Sequence, residues 1–280
     1  MGCERIKIKS QDGASIEVLY FPSPQSDTLY VCLPAMGVSA KYYVPMAEVL
    51  VKGGQSVLLC DLRGQGSSNR KAPKAKFGYH QMLTLDLPAY IARAKSLSPK
   101  AKIVVLGHSL GGHLGLLYAA QNPEAVQALA LIASGSVYYK AYRFPQSLKI
   151  WIGTQSSVLL SAVFGYFPGH KIGFGGKQPK QIMRDWARQG RTGRFVPKGS
   201  DFNYEAALEN LSLPIFALYI EGDNFAPHSA TDHLIGKAKQ GHITRSKFLP
   251  SSNTPKIDHF RWVKHSEEII EELLDWAKLL

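Results

Sequence analysis

Residues 102–120 read K-I-V-V-L-G-H-S-L-G-G-H-L-G-L-L-Y-A-A, and the fold class follows from them. Ile103 to Leu106 is an unbroken apolar, β-branched run, the pattern of a strand buried on both faces. Gly107, Ser109 and Gly111 then fit G-x-S-x-G, and from Leu110 onward Leu114, Leu117 and Tyr118 recur at helical spacing. Strand, sharp turn and helix together are the context in which that motif forms a nucleophile elbow. Such a turn strains the serine's backbone and needs small residues where strand and helix approach. Ser109 would stand clear of the sheet at a helix N-terminus, where free N–H groups favour developing negative charge.

On both sides of this stretch the same alternation of apolar strand and amphipathic helix recurs. Residues 5–9 and 15–21 alternate around Asp12-Gly13, a hairpin at the edge of a sheet. Buried-type strands are expected at 28–33, 55–60, 125–133, 214–220 and 244–249, with helices at 40–51, 79–97, 229–239 and 265–280. Repeated strand-helix units with short connections predict an α/β fold, a mostly parallel twisted sheet with helices on both faces. Residues 1–136 and 208–280 would form that core. Residues 137–207, rich in aromatics and without a clear strand, are too long for a bare loop and read as an inserted helical cap.

A serine hydroxyl needs a base, and the base needs an orienting acid. On this architecture the chain order is serine, acid, histidine, each at the end of a successive strand. Asp223 follows the 214–220 strand in Glu221-Gly222-Asp223, and His259 follows the last strand and a Pro/Ser loop in Asp258-His259-Phe260. The catalytic candidates are therefore Ser109, Asp223 and His259, with Glu221 in reserve as the acid. His108 would face away from the nucleophile's side of the turn, and His113 lies inside the following helix. His265 reads as a capping residue and Asp258 as a loop hydrogen-bonder. Two N–H donors should stabilise the oxyanion: Leu110, just after the nucleophile, and Met36, in the loop after the third strand.

These motifs resemble those of α/β-hydrolases of the serine aminopeptidase or monoacylglycerol-lipase-like branch. G107-H108-S109-L110-G111-G112, D61-L62-R63-G64-Q65-G66-S67-S68, G222-D223 and D258-H259-F260 stand where that family carries its own. The resemblance implies a serine hydrolase cleaving an ester, thioester or amide through an acyl-serine intermediate, with a small-molecule acyl substrate. It also implies a structural turn at Asp61 to Ser68. The family's His-Gly before the oxyanion residue is Pro34-Ala35 here. Transfer of the acyl group to an alcohol or amine, or ligand binding without catalysis, are the alternatives on the same fold.

The net charge is +12 over 280 residues, 45% of them hydrophobic. Residues 137–207 carry eleven basic against three acidic side chains, about +8 of that total. There Trp186, Arg188, Arg191 and Arg194 are candidates for holding an anionic substrate, against the reading of a solvated surface whose aromatics pack the cap to the core. No nucleic-acid motif accompanies the charge, so nucleic-acid binding is not expected. Three cysteines in no ligand spacing suit a reducing compartment and point to neither metal nor cofactor. Charged residues within the first ten argue against a secretory signal, and Ile6 stands where myristoylation wants Ser or Thr. Thr154, Gln155, Ser156, Ser157 and Ser161 break the most apolar stretch, so no stable membrane insertion is expected. A cytoplasmic location is the expectation; no spacing fixes an oligomeric state.

Overall fold

A computed structural model describes residues 2–250 and 257–280; the Pro/Ser loop expected before Asp258 lies outside them. Eight strands form one sheet in the order β1 (Glu4–Lys9), β2 (Ser15–Phe21), β4 (Ser56–Leu59), β3 (Thr28–Leu33), β5 (Lys102–His108), β6 (Ala128–Ile132), β9 (Pro214–Ile220), β10 (His242–Phe248). From β4 to β10 every neighbouring pair is parallel, while β2 runs antiparallel to both β1 and β4. This is the mostly parallel α/β sheet, with an antiparallel hairpin at its edge, that the strand-helix alternation predicts.

The central strands are apolar on both faces because each face carries its own core. Leu29, Val31, Ile103 and Val105 pack with α3 (Leu87–Leu97), α4 (Leu110–Gln121) and α8 (His228–Ile235). The alternate residues Tyr30, Cys32, Val104 and Leu106 pack with α1 (Val44–Lys52) and α9 (Glu267–Ala277). With a period of two along each strand, one apolar run fills both cores at once.

Several boundaries differ from expectation. The helix expected at 40–51 begins as a 3₁₀ turn at Ala40–Tyr43 before α1. The one expected at 79–97 is broken into α2 (Tyr79–Gln81), a π turn at Met82–Asp86 and α3, with Pro88 in the first turn of α3. The segment between β6 and β9 holds α5 (Gln146–Phe164), α6 (Lys180–Thr192) and α7 (Tyr204–Glu209). It also holds a short antiparallel pair, β7 (Tyr166–Pro168) with β8 (Lys177–Pro179), where no strand was expected. Each of these strands has three residues and two prolines lie within them, so neither shows an alternating pattern to read.

The Asp61 to Ser68 turn is tied into the core by its side chains. Asp61 accepts the Ala40 N–H at 2.7 Å and the Ser67 N–H at 2.7 Å. Arg63 is buried between two carboxylates, with Nε 2.8 Å from Asp86 Oδ2, Nη2 2.6 Å from Asp86 Oδ1 and Nη1 2.6 Å from Asp12 Oδ2. Burial raises the Asp86 carboxyl even against Arg63, while the Arg63 hydrogen bond leads in lowering that of half-exposed Asp12.

Candidate active site

Ser109 joins β5 to α4 with φ 53° and ψ −115°, a left-side backbone that an L-residue adopts only when its surroundings force it. The surroundings here are close. A Cβ at Gly111 would lie 2.1 Å from the Leu33 carbonyl oxygen, and one at Gly107 would lie 2.4 Å from Gly112 Cα. Glycine at both positions therefore lets β5, β3 and the first turn of α4 meet, which lifts Ser109 above the strand ends.

Asp223 and His259 arrive from the loops after β9 and β10. His259 Nδ1 donates to Asp223 Oδ2 at 2.7 Å, and both residues are buried. The other carboxylate oxygen, Oδ1, accepts the Phe225 N–H at 2.8 Å and the Ala226 N–H at 3.2 Å, so the acid is fixed by its own loop. With Nδ1 committed as donor, Nε2 is the basic nitrogen. Phe225 and Phe260 pack on the imidazole, with ring centroids 5.1 Å and 4.8 Å away. Glu221, the reserve acid, pairs instead with Lys247 at 3.1 Å on the surface. Asp258 Oδ1 accepts the Phe260 N–H at 3.0 Å and the Arg261 N–H at 2.9 Å, which shapes the histidine loop.

Ser109, His259, Met36 and Leu110 line one cavity of about 360 Å³. The loop after β3 shows why Met36 is the exceptional N–H there. The Ala35 N–H donates to Tyr43 Oη at 2.9 Å and the Gly37 N–H to Gln65 Oε1 at 2.9 Å. Met36 N–H, between them, has no acceptor among the described residues, and neither has Leu110 N–H. A pair of free N–H groups beside a serine can receive a developing negative charge.

Tyr43 also bonds His108 Nδ1 at 2.6 Å, and the Trp262 indole N–H reaches His108 Nε2 at 3.4 Å. His108 does face away from the cavity, as expected, but it is fully buried and its ring lies 5.0 Å from that of His259. Burial, with the neighbouring His259, pushes its pKa well below the ordinary value, so it is neutral. Loop 34–37, the nucleophile turn and the histidine loop thus meet on one uncharged imidazole. Nothing local in the sequence marks Tyr43, Gln65 or Trp262 for this, because each acts on a residue distant in the chain.

His113, also buried, lines the cavity one turn after Ser109, its Nε2 2.8 Å from the Gly135 carbonyl. Burial lowers its pKa to about 4, against an ordinary value of 6.5. Below pH 6.5 the unfolded chain binds a proton that the folded protein refuses until about pH 4, so this group costs stability as pH falls through that window. Relative to a His113→Gln variant, urea unfolding of the wild type should lose roughly 2 kcal/mol of its advantage between pH 7 and pH 5. A constant difference would mean that His113 protonates freely in the native state.

The four cap candidates separate. Trp186 lines the cavity, packed 5.8 Å from Phe174. Arg188 and Arg191 instead line a different groove between α5 and α6, together with Arg184 and Lys198, and Arg194 follows the αL glycine that ends α6. Successive helical residues turn by 100°, so Arg188 points about 200° away from Trp186. Among the described lining residues of the cavity, Lys149 is the one permanent charge; most of the rest are apolar, including Leu160, Phe167, Phe174 and Phe225.

The sequence model of the family described as alpha/beta hydrolase fold matches residues 31–250. Lysophospholipase L2 of Escherichia coli K12 is 29% identical over 125 residues, 44% of this chain and 37% of that protein. Cis-3-alkyl-4-alkyloxetan-2-one decarboxylase of Shewanella oneidensis is 28% identical over 193 residues, 63% of this chain and 59% of that protein. The matches thus span less than two thirds of these relatives. The solved structure of DcsB in complex with its substrate analogue has the same fold, with a TM-score of 0.65 at 18% identity over 99% of this chain and 98% of that one.

Proposed function

The chain belongs to the alpha/beta hydrolase fold family, and from that premise we propose that it is a serine hydrolase cleaving an ester, thioester or amide of an apolar acyl group. The observation that carries this reading is that one cavity is lined by Ser109, His259, Met36 and Leu110, the last two with N–H groups that have no partner among the described residues. In the proposed cycle Ser109 Oγ attacks the acyl carbonyl carbon as His259 Nε2 takes its proton. Asp223 holds the imidazole in the tautomer that can accept it and stabilises the imidazolium that forms. The oxygen that gains charge is received by Met36 N–H and Leu110 N–H. His259 returns the proton to the leaving group, and water repeats the attack on the acyl-serine to release the acid. The apolar lining favours an acyl chain over an anionic one in the cavity itself. Residues 137–207 act as the cap in this reading, with Trp186 and Phe174 supplying wall.

A fluorophosphonate probe tests the proposal at its central atom. The native protein should label stoichiometrically, with the adduct on Ser109, and heat-unfolded protein should not. Folded protein that resists the probe at every concentration tried would return the chain to the class of ligand-binding proteins on this fold.

A further inference from the structure

The outer face of α5 is apolar and uncovered. Leu148, Ile152, Leu159 and Val163 fall within about 60° of one another around the helix axis. Leu159 is 67% and Val163 70% exposed. Phe144, just before the helix, and Ile172, at the rim of the cavity, are exposed as well. From Leu148 to Val163 the stripe runs along about 23 Å of this 19-residue helix. Water-facing apolar surface of that extent marks an interaction face rather than a solvated one.

Two further observations identify what that face meets. The adjoining flank of the same helix, with Ile150, Gly153, Thr154, Ser157 and Leu160, lines the catalytic cavity. One helix therefore carries an apolar cavity wall and an apolar outer stripe side by side. Second, no carboxylate side chain occurs between Glu124 and Asp185, while Lys140, Arg143, Lys149 and Lys171 all fall in that stretch. An apolar ridge among cations without acids is complementary to a lipid surface bearing anionic headgroups.

We infer that the outer face of α5 docks on an anionic lipid surface, lying in its plane, so that acyl chains pass from the lipid into the cavity along Ile172 and the inner flank of the helix. The binding mode is peripheral: among the described residues no helix is long and apolar enough to cross a membrane. The passage of acyl chains rests on the serine-hydrolase reading; the docking does not.

The test uses the full chain carrying Ser109→Ala, so that lipid is bound and not consumed, and sedimentation with vesicles. It should co-sediment with vesicles of phosphatidylcholine and phosphatidylglycerol in equal parts, weakly with phosphatidylcholine alone, and less as salt is raised. Adding Leu159→Glu with Val163→Glu should lower the bound-to-free ratio about tenfold or more. Adding Arg143→Glu with Lys171→Glu should lower it at least about fivefold, the effect of one cation near an anionic surface. With Ser109 intact, both double variants should turn over p-nitrophenyl butyrate, a soluble ester, at the wild-type rate. Protein that stays in the supernatant with anionic vesicles, or binding that Leu159→Glu with Val163→Glu leaves unchanged, would overturn the inference. So would a wild-type dimer that this same double variant converts to monomer, since the face would then belong to a second copy. Absence of soluble-ester turnover with vesicle binding intact would count against the hydrolase reading alone.

Discussion

Ser109→Ala should lower kcat for short p-nitrophenyl esters by roughly 10⁴- to 10⁶-fold while leaving the protein as stable as the wild type or slightly more so. The size of the loss follows from the arrangement around the serine. His259 Nδ1 is committed to Asp223 at 2.7 Å, so the imidazole has one task, and without Oγ it has no nucleophile to activate. On the proposed mechanism the remaining rate would come from the Met36 and Leu110 N–H groups, without acceptors among the described residues, and from binding in the cavity. The backbone strain at φ 53° stays, because alanine also has a Cβ. Steady-state kinetics with denaturant unfolding on the same preparation separates the two effects. A wild-type rate in the alanine variant would remove Ser109 from the chemistry, whatever the cavity looks like.

The largest expected effect on stability lies away from the chemistry. Arg63→Leu should cost roughly 3–5 kcal/mol, because it leaves the Asp86 carboxylate buried with only the Ser10 hydroxyl, 2.7 Å away, as partner. For a chain of this length that corresponds to a fall in Tm of roughly 5–9 °C. Burial already raises the Asp86 pKa with Arg63 in place, and the loss of Arg63 removes the hydrogen bonds and charge that oppose that rise. Arg63→Leu with Asp86→Leu should recover most of the loss, since apolar pairs replace buried ion pairs at little cost. If the single variant loses less than about 1 kcal/mol, then Asp12, half-exposed and also bonded to Arg63, does not leave the guanidinium as buried as it looks.

Both results bear on how the site is built. The Asp61 to Ser68 turn carries Arg63 into the core and Gln65 to the Gly37 N–H, so its hold on the fold and on the loop beside Met36 is one structure. The resemblance read from the sequence identifies it as a structural turn and names none of its partners. The partners that tie it to the rest of the chain lie from 21 to 51 positions away, and no local pattern records that.

What the sequence determined by itself is whatever local spacing can encode. The apolar β-branched runs set the parallel sheet, because a strand with a core on each face must be apolar at every position. The turn at Gly107 to Gly111 set the elbow, because only glycine fits where the strand and helix touch. Chain order on that sheet singled out Asp223 and His259 from the other acids and histidines, and the structure brings those two within hydrogen-bond distance. Which side of each helix meets which neighbour is set by long-range packing instead. On α6 that divides Trp186 in the cavity from Arg188 and Arg191 in another groove, although all three lie within six residues. On α5 it leaves Leu159 and Val163 in water while Leu160 faces the cavity. Both outcomes have one cause. A helix distributes neighbouring residues around its axis at 100° intervals, and its rotation about that axis is set by packing with elements far away in the chain.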